Sequence, residues 1–367
     1  MNKTPQELLD GARDAARDVA GQHHRPAAAC CTEEGALIVC NGNTAEDGGD
    51  EIALLWIDSQ GEPVARNGLP AERQRIARAL QETTDGWLLA GEVAVAPHSF
   101  VAEWTWVDRS GTQQRTLEGG EAGVTGAFAL SMSAGDVVPS GGVVPSGGVV
   151  HSGGVNAQQA ALFTVQGETV ESRTLSDAVR VSAMTPSWYA VWRRLNVLGP
   201  SESAIIATDG QVLLELPEQV EALVEVEGEP CVASWGESSA FVSRLSAEGE
   251  RRWTVDLRAA PGALRATTLA QVGDLLVVTT ERVEGYETRW LEVIGLDLDG
   301  AVQWRHEFGG GAQASCAALL PWEEGVLAVG VCEFSALYTR LWLAHVSAEG
   351  VLCWERGYAF GRTDDRH

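Results

Sequence analysis

Residues able to do chemistry are present in this chain, but they are scattered. Seven histidines occur, at positions 23, 24, 98, 151, 306, 345 and 367. His23, His24 and His367 fall in terminal segments, His98 and His151 in loops, His306 on an outer strand and His345 on a third strand. None has a second His, Cys or carboxylate at the spacing zinc requires. Two acidic stretches superficially suit a cation. Glu46-Asp47-Gly48-Gly49-Asp50-Glu51 lacks alternating ligands, and Asp297-Leu298-Asp299-Gly300 lacks the further ligands and closing Glu of a calcium loop. Loop solvation and turn geometry account for both. Cys30 and Cys31 are adjacent in an expected inner strand, where small buried thiols are the plainer reading. No Gly-x-Ser-x-Gly elbow, phosphate-cradling loop or Cys/His nucleophile pair appears. The residues converge on no reaction, and they call for no cofactor and no metal.

What recurs is the frame that would position them. Gly61, Gly111, Gly167, Gly210, Gly249, Gly300 and Gly350 each break a strand-like run, at spacings of 50, 56, 43, 39, 51 and 50. Five of the preceding tripeptides open on Asp or Ser at the first turn position: Asp58, Asp108, Ser246, Asp297 and Ser347. Asp or Ser there, with Gly at the fourth position, is type I turn chemistry. A period of this length with strand-turn-strand units signals a radial or solenoidal repeat. Each unit resolves into four strands. In the second unit they fall near 75–81, 87–91, 101–107 and 112–117. Second strands such as 273–278 and 325–330 are continuous apolar runs, as expected of strands covered on both faces. Third strands such as 340–346 alternate more and are expected to be more solvated. Trp253, Trp304 and Trp354 fall four residues after a turn glycine; Trp56 and Trp106 fall five before one. That register predicts packing between neighbouring units.

Several segments break the repeat. Thr4-Pro5-Gln6-Glu7 reads as a capped helix start, and Leu8, Leu9, Ala12, Ala15, Ala16 and Val19 follow on one stripe. The helix is expected either to lie on the first unit or to dock on a partner. Residues 135–155 form a tandem hexapeptide, GDVVPS-GGVVPS-GGVVHS-GGV, read as an expanded loop between the second and third strands of the third unit. The fourth unit is irregular: Trp188-Tyr189-Ala190-Val191-Trp192 precedes Arg193-Arg194, and no tryptophan follows Gly210.

Composition narrows the partners. The 367 residues carry 51 acidic and 26 basic side chains, a formal charge of −25. That excess repels a phosphate backbone, so nucleic acid and anionic membrane are poor partners and a basic protein surface is a better one. Lys3 is the only lysine, which with the abundant Ala and Gly suits a GC-rich bacterial genome. Residues 1–29 lack a basic segment followed by an apolar one, and no run approaches a bilayer span. With seven cysteines at irregular spacing, a cytoplasmic protein with reduced thiols is expected.

The unit GxLLVxG…WLxxLDxxGxxxW, met most closely in Leu296-Asp297-Leu298-Asp299-Gly300-Ala301-Val302-Gln303-Trp304, resembles the repeats of bacterial quinoprotein-like and Trp-Asp-repeat-like propellers. The resemblance covers nearly the whole chain and implies an all-β, seven-bladed β-propeller of four-stranded antiparallel blades. In some quinoproteins an adjacent cysteine pair packs on the quinone, but Cys30-Cys31 lies before the repeats are established and no calcium ligand set accompanies it. The expected layout is a helix and linker over 1–24, then blades near 25–67, 72–118, 124–176, 180–217, 219–257, 265–308 and 313–360, then a tail over 362–367. Blade 7 is expected to close on blade 1 without a swapped strand. Because propellers host many functions on one scaffold, activity is read from what breaks the repeat. The expectation is a non-enzymatic interaction scaffold or regulatory subunit. Its candidate contact residues are Glu46, Asp47, Asp50, Glu51, Trp188, Trp192, Arg193, Arg194, Leu8 and Leu9. A pore-centred oxidoreductase or hydrolase is the alternative; a glycan-binding lectin, needing exposed tryptophans, is the third.

Overall fold

The computed structural model describes residues 22–358, apart from 45–49, 70–71, 97–98, 124–125, 133–148, 157–158, 167–168, 176–177, 179, 195–200, 237–238, 259–262, 285–287, 312 and 334–340. Within these, every regular element is a strand. The strands form seven antiparallel sheets of four consecutive strands each, spanning residues 22–69, 75–123, 126–174, 180–216, 219–256, 263–311 and 313–358. We call these blades 1 to 7. The helix expected over the first residues, with Leu8 and Leu9, lies outside the described residues.

The first strand of each blade packs on the first strand of the next, and that of blade 7 packs on that of blade 1. The seven first strands therefore make the inner ring. Fourth strands form the outside: that of blade 1 (Pro63–Leu69) and that of blade 7 (Leu352–Tyr358) are mostly exposed. Since every blade holds its own four consecutive strands, the ring closes by packing of blade 7 against blade 1, with no exchanged strand.

The apolar core is divided among the seams between blades. Alternate residues of the middle strands face opposite neighbours. In blade 1, Ala36, Ile38 and Cys40 meet blade 7, while Leu37 and Val39 meet blade 2. Seven such clusters occur, one at each seam. This arrangement corrects the expectation for third strands. Leu341 to Val346 of blade 7 is buried throughout, because a third strand is covered by blades on both faces. Solvent meets the fourth strands instead.

Blade 3 places the hexapeptide differently from the expectation. Its second strand is Val149–Asn156, paired with Gly126–Met132 on one side and Gln159–Gln166 on the other. The end of the tandem segment, 149–155, is thus part of the second strand and not a loop between the second and third. Blade 1 begins at Gln22, earlier than expected.

Candidate functional site

Among the described residues the repeated residues build one device six times over, with local variation. At six of the seven hairpins between third and fourth strands, the glycine has a left-handed φ, from 76° at Gly61 to 98° at Gly210. Gly167 is outside the described residues. Each of the six donates its N–H to the carbonyl three residues earlier, as Gly300 does to Asp297 at 3.1 Å. A register shift follows immediately in the ladder. This is a type I turn completed by a glycine bulge, a conformation glycine adopts without steric cost. The acidic residue opening the turn serves the backbone: Asp297 Oδ1 accepts from the N–H groups of Asp299 and Ala301, at 3.0 and 2.8 Å. The Asp297–Asp299 pair is therefore turn geometry.

Tryptophan then ties four of these turns to the preceding blade. Trp253 of blade 5 lies against Gly300 of blade 6, Trp304 of blade 6 against Gly350 of blade 7, Trp354 of blade 7 against Gly61 of blade 1, and Trp56 of blade 1 against Gly111 of blade 2. Two of the indoles also donate to a turn carbonyl. Trp253 Nε1 reaches the Leu298 oxygen and Trp304 Nε1 the Ala348 oxygen, both at 2.9 Å. The two tryptophan registers of the sequence are one structural position. Trp56 pairs across the ladder with Ala65, and Trp253, Trp304 and Trp354 occupy the Ala65 side of the same pair, opposite Arg244, Gly295 and His345. A tryptophan on either strand points into the same seam.

None of the chain's 13 tryptophans is exposed. Arginines cover several of those at the surface, as Arg115 does over Trp106 at 3.8 Å and Arg356 over Trp354 at 5.3 Å. The exposed aromatic face that a lectin reading needs is not formed by these residues.

The candidate contact residues divide into three groups. Leu8, Leu9, Glu46 and Asp47 lie outside the described residues. Asp50 and Glu51, read as loop, open the third strand of blade 1 (Asp50–Asp58) and pair with Asn43 and Gly42. Trp188, Trp192, Arg193 and Arg194 share one strand, the second of blade 4 (Trp188–Arg194). Trp188 is 7% exposed and belongs to the core of the seam between blades 4 and 5, so it offers no contact surface. Trp192 is half-buried and donates to the Val220 carbonyl of blade 5 at 2.7 Å. Val220 adjoins the bulge of an inner strand, and its own N–H reaches Ser203 Oγ at 2.9 Å. Arg193 is ion-paired with Glu215. Trp192 and Arg193 are therefore engaged within the blade or at its seam.

Sequence reading missed two polar clusters that only sheet pairing brings together. At the seam of blades 1 and 2, Arg75 and Glu103 are 5% and 6% exposed and pair at 2.6 Å. Arg75 also donates to Thr105 at 2.5 Å and Gln113 at 3.0 Å. At the seam of blades 5 and 6, Glu221 is the bulged residue of its inner strand and takes Arg265 of blade 6 and the Trp235 Nε1–H of its own blade. Nearby Glu281 is 9% exposed. Burial pushes its carboxyl above the usual range, against the pull of Arg265 and Arg289. Among the described residues no three His, Cys, Asp or Glu side chains gather as metal ligands. Cys30 and Cys31 are free thiols, and burial with the nearby Glu82 carboxylate pushes Cys30 up to about 12. A thiol so held carries little thiolate at neutral pH.

A ring of four-stranded antiparallel blades around an inner layer of first strands is a β-propeller, and this chain has that fold. No family model matches it, and no curated protein sequence matches it. Solved structures do. One described under two prolyl endopeptidases covers 98% of this chain and 56% of that chain, at 13% identity and a TM-score of 0.56. The chain thus spans about half the length of that protein. Dihydro-heme d1 dehydrogenase NirN covers 88% of this chain and 64% of that one, at 10% identity and a TM-score of 0.47. The AfRom2 CNH domain covers 92% and 95%, at 11% and 0.44. Likeness at such identities extends to the fold and no further. No helix among the described residues is long and apolar enough to cross a membrane.

Proposed function

We propose that this propeller is a protein-interaction platform, a scaffold or regulatory subunit that binds a basic partner in the bacterial cytoplasm. Its repeat-level likeness to quinoprotein-like and Trp-Asp-repeat propellers enters this reading as scaffold alone, with no reaction attached. One observation carries it. Twelve arginines are already held in ion pairs with the chain's own carboxylates among the described residues, from Arg73–Glu118 to Arg356–Glu62. The 51 acidic side chains outnumber the 26 basic ones, so carboxylates remain in excess after such pairing and the formal charge is −25. Such a surface attracts and orients a positively charged partner, and salt weakens the attraction.

Native purification at low salt, followed by mass spectrometry, tests this. A specific basic protein in defined stoichiometry is expected, released as ionic strength rises. A strictly monomeric chain with no partner at low or high salt contradicts the reading.

A further inference from the structure

One seam of the ring is not crossed by the chain. Blades 1 to 7 follow one another in sequence, whereas blades 7 and 1 pack together with no chain segment running between them. His345 sits at this seam. Leu341 and Leu343, on the same strand face, share an apolar cluster with Ile38, Leu55 and Ile57 of blade 1. His345 itself is 5% exposed, and its Nε2 is shut from solvent with no hydrogen-bond partner. The imidazole meets Trp354 edge-on, with ring centroids 5.7 Å apart. Trp354 is the residue that covers Gly61 of blade 1.

None of the charged and titratable groups near this seam forms a hydrogen bond with the Nε2 of the imidazole. Glu323, in the turn between the first two strands of blade 7, favours protonation, but burial outweighs it and holds the imidazole below its ordinary value. Arg356, on the fourth strand, stacks over Trp354 and pairs with Glu62 of blade 1. From blade 1, the Asp58 carboxylate is occupied by the N–H groups of Gln60 and Glu62, and the Cys31 thiol donates to the Pro321 carbonyl at 3.0 Å. The Tyr358 hydroxyl donates to Gly61 O at 2.6 Å. His306, at the neighbouring seam, differs: its Nε2 has the Gly350 carbonyl beside it as an acceptor.

We propose that His345 is the pin of an acid-opened clasp, whose protonation releases blade 7 from blade 1 while the six chain-crossed seams hold. An imidazolium has two N–H donors to satisfy, and here the one on Nε2 would be buried with no acceptor in hydrogen-bond reach among the described residues. Neutral imidazole fits the closed seam; the cation fits the opened one. The closed state has the lower proton affinity. The clasp is therefore fully closed above the ordinary imidazole value of about 6.5, and its stability is lost as pH falls towards the lower value of the closed state. One proton limits the slope to about tenfold in the opening equilibrium per pH unit.

Peptide-resolved hydrogen exchange on the full chain at pH 7 and pH 5 tests this, with blades 5 and 6 of the same sample as the internal reference. In the wild type, exchange in the first strand of blade 1 (Gln22–Cys31) and the fourth of blade 7 (Leu352–Tyr358) is expected to rise relative to that reference by up to about tenfold per pH unit. His345→Gln and His345→Leu are expected to abolish that rise. An unchanged wild-type ratio at pH 5, or the same rise in both variants, overturns the proposal. If neither variant folds, the wild-type ratio decides alone.

Discussion

Blades 5, 6 and 7 present a tryptophan to the turn glycine of the blade that follows, and blade 1 does the same for blade 2. Blades 3 and 4 do not. Gly210 of blade 4 has nothing packed on its open side among the described residues, and Gly249 of blade 5 meets the backbone carbonyl of Leu213 where its sister turns meet an indole. The seam of blades 3 and 4 relies on a small cluster around Tyr189, whose hydroxyl Arg173 reaches from blade 3. The seam of blades 6 and 7 gathers a larger set around Phe308 and Trp342, with ring centroids 5.0 Å apart. The turn backbone is the same in both regions: Gly210 and Gly350 have φ of 98° and 80° and equivalent hydrogen bonds. Turn geometry and seam packing are thus separable contributions. The first belongs to the hairpin; the second depends on what the neighbouring blade supplies.

That separation can be tested by substitutions paired across the two regions. Trp304→Ala removes a large side chain that fills the seam of blades 6 and 7 and donates to Ala348. A loss of about 3–5 kcal/mol is expected in denaturant unfolding. Leu214→Ala, at the equivalent position of blade 4, is half-buried and should cost about 1–2 kcal/mol. Comparable losses would erase the distinction. Gly350→Ala puts a methyl group into the Trp304 ring and also strains a left-handed backbone, for about 3 kcal/mol in total. Gly210→Ala meets the strain alone, about 1–2 kcal/mol. The smallest effect belongs to the turn acids. Asp297→Ala frees two backbone N–H groups and should cost about 1 kcal/mol, read as a shift in the unfolding midpoint. Blade 4 opens its turn on Ala207, so Asp209→Ala should cost less, since Asp209 accepts only from the Gln211 N–H.

Acid sharpens the same point. The Ser110 hydroxyl and the backbone N–H groups of Thr112 and Ser110 hold the Asp108 carboxyl below the usual range. Its contribution is present above the ordinary value of about 3.9 and disappears as pH falls through the folded-state value. Asp108→Asn should flatten the acid limb of the stability curve in that window. It should leave the His345 window above it unchanged.

Much of this frame was legible in the chain. A glycine three residues after Asp or Ser, between strand-like runs, has few structural meanings, so the turns and the repeat could be placed from residue type alone. The tryptophan registers were visible too, but their equivalence was not. Trp56 and Trp304 sit on different strands, and only the ladder pairing shows that they fill one kind of position. Burial of third strands was misread for a related reason. Alternation in Arg340-Leu341-Trp342-Leu343-Ala344-His345-Val346 suggests a solvated face, whereas a propeller covers both faces. The hexapeptide of blade 3 was ambiguous because Gly-Gly-Val-Val suits a loop and a strand equally, and pairing with Gly126–Met132 decides it. Of the candidate contacts, Trp188 was misjudged because an aromatic beside an irregular unit looks the same whether it faces solvent or a seam. The Arg75–Glu103 pair joins residues 28 positions apart, and no local pattern announces it.

The central claim is that the recurring tryptophans and turn glycines form contacts between blades. A double-mutant cycle on Trp304 and Gly350 measures that contact directly. If the indole of blade 6 lies on the turn of blade 7, Gly350→Ala should cost about 3 kcal/mol in the wild type and only the backbone strain of about 1–2 kcal/mol beside Trp304→Ala. The account predicts a coupling of at least about 1 kcal/mol. Losses that simply add would contradict it.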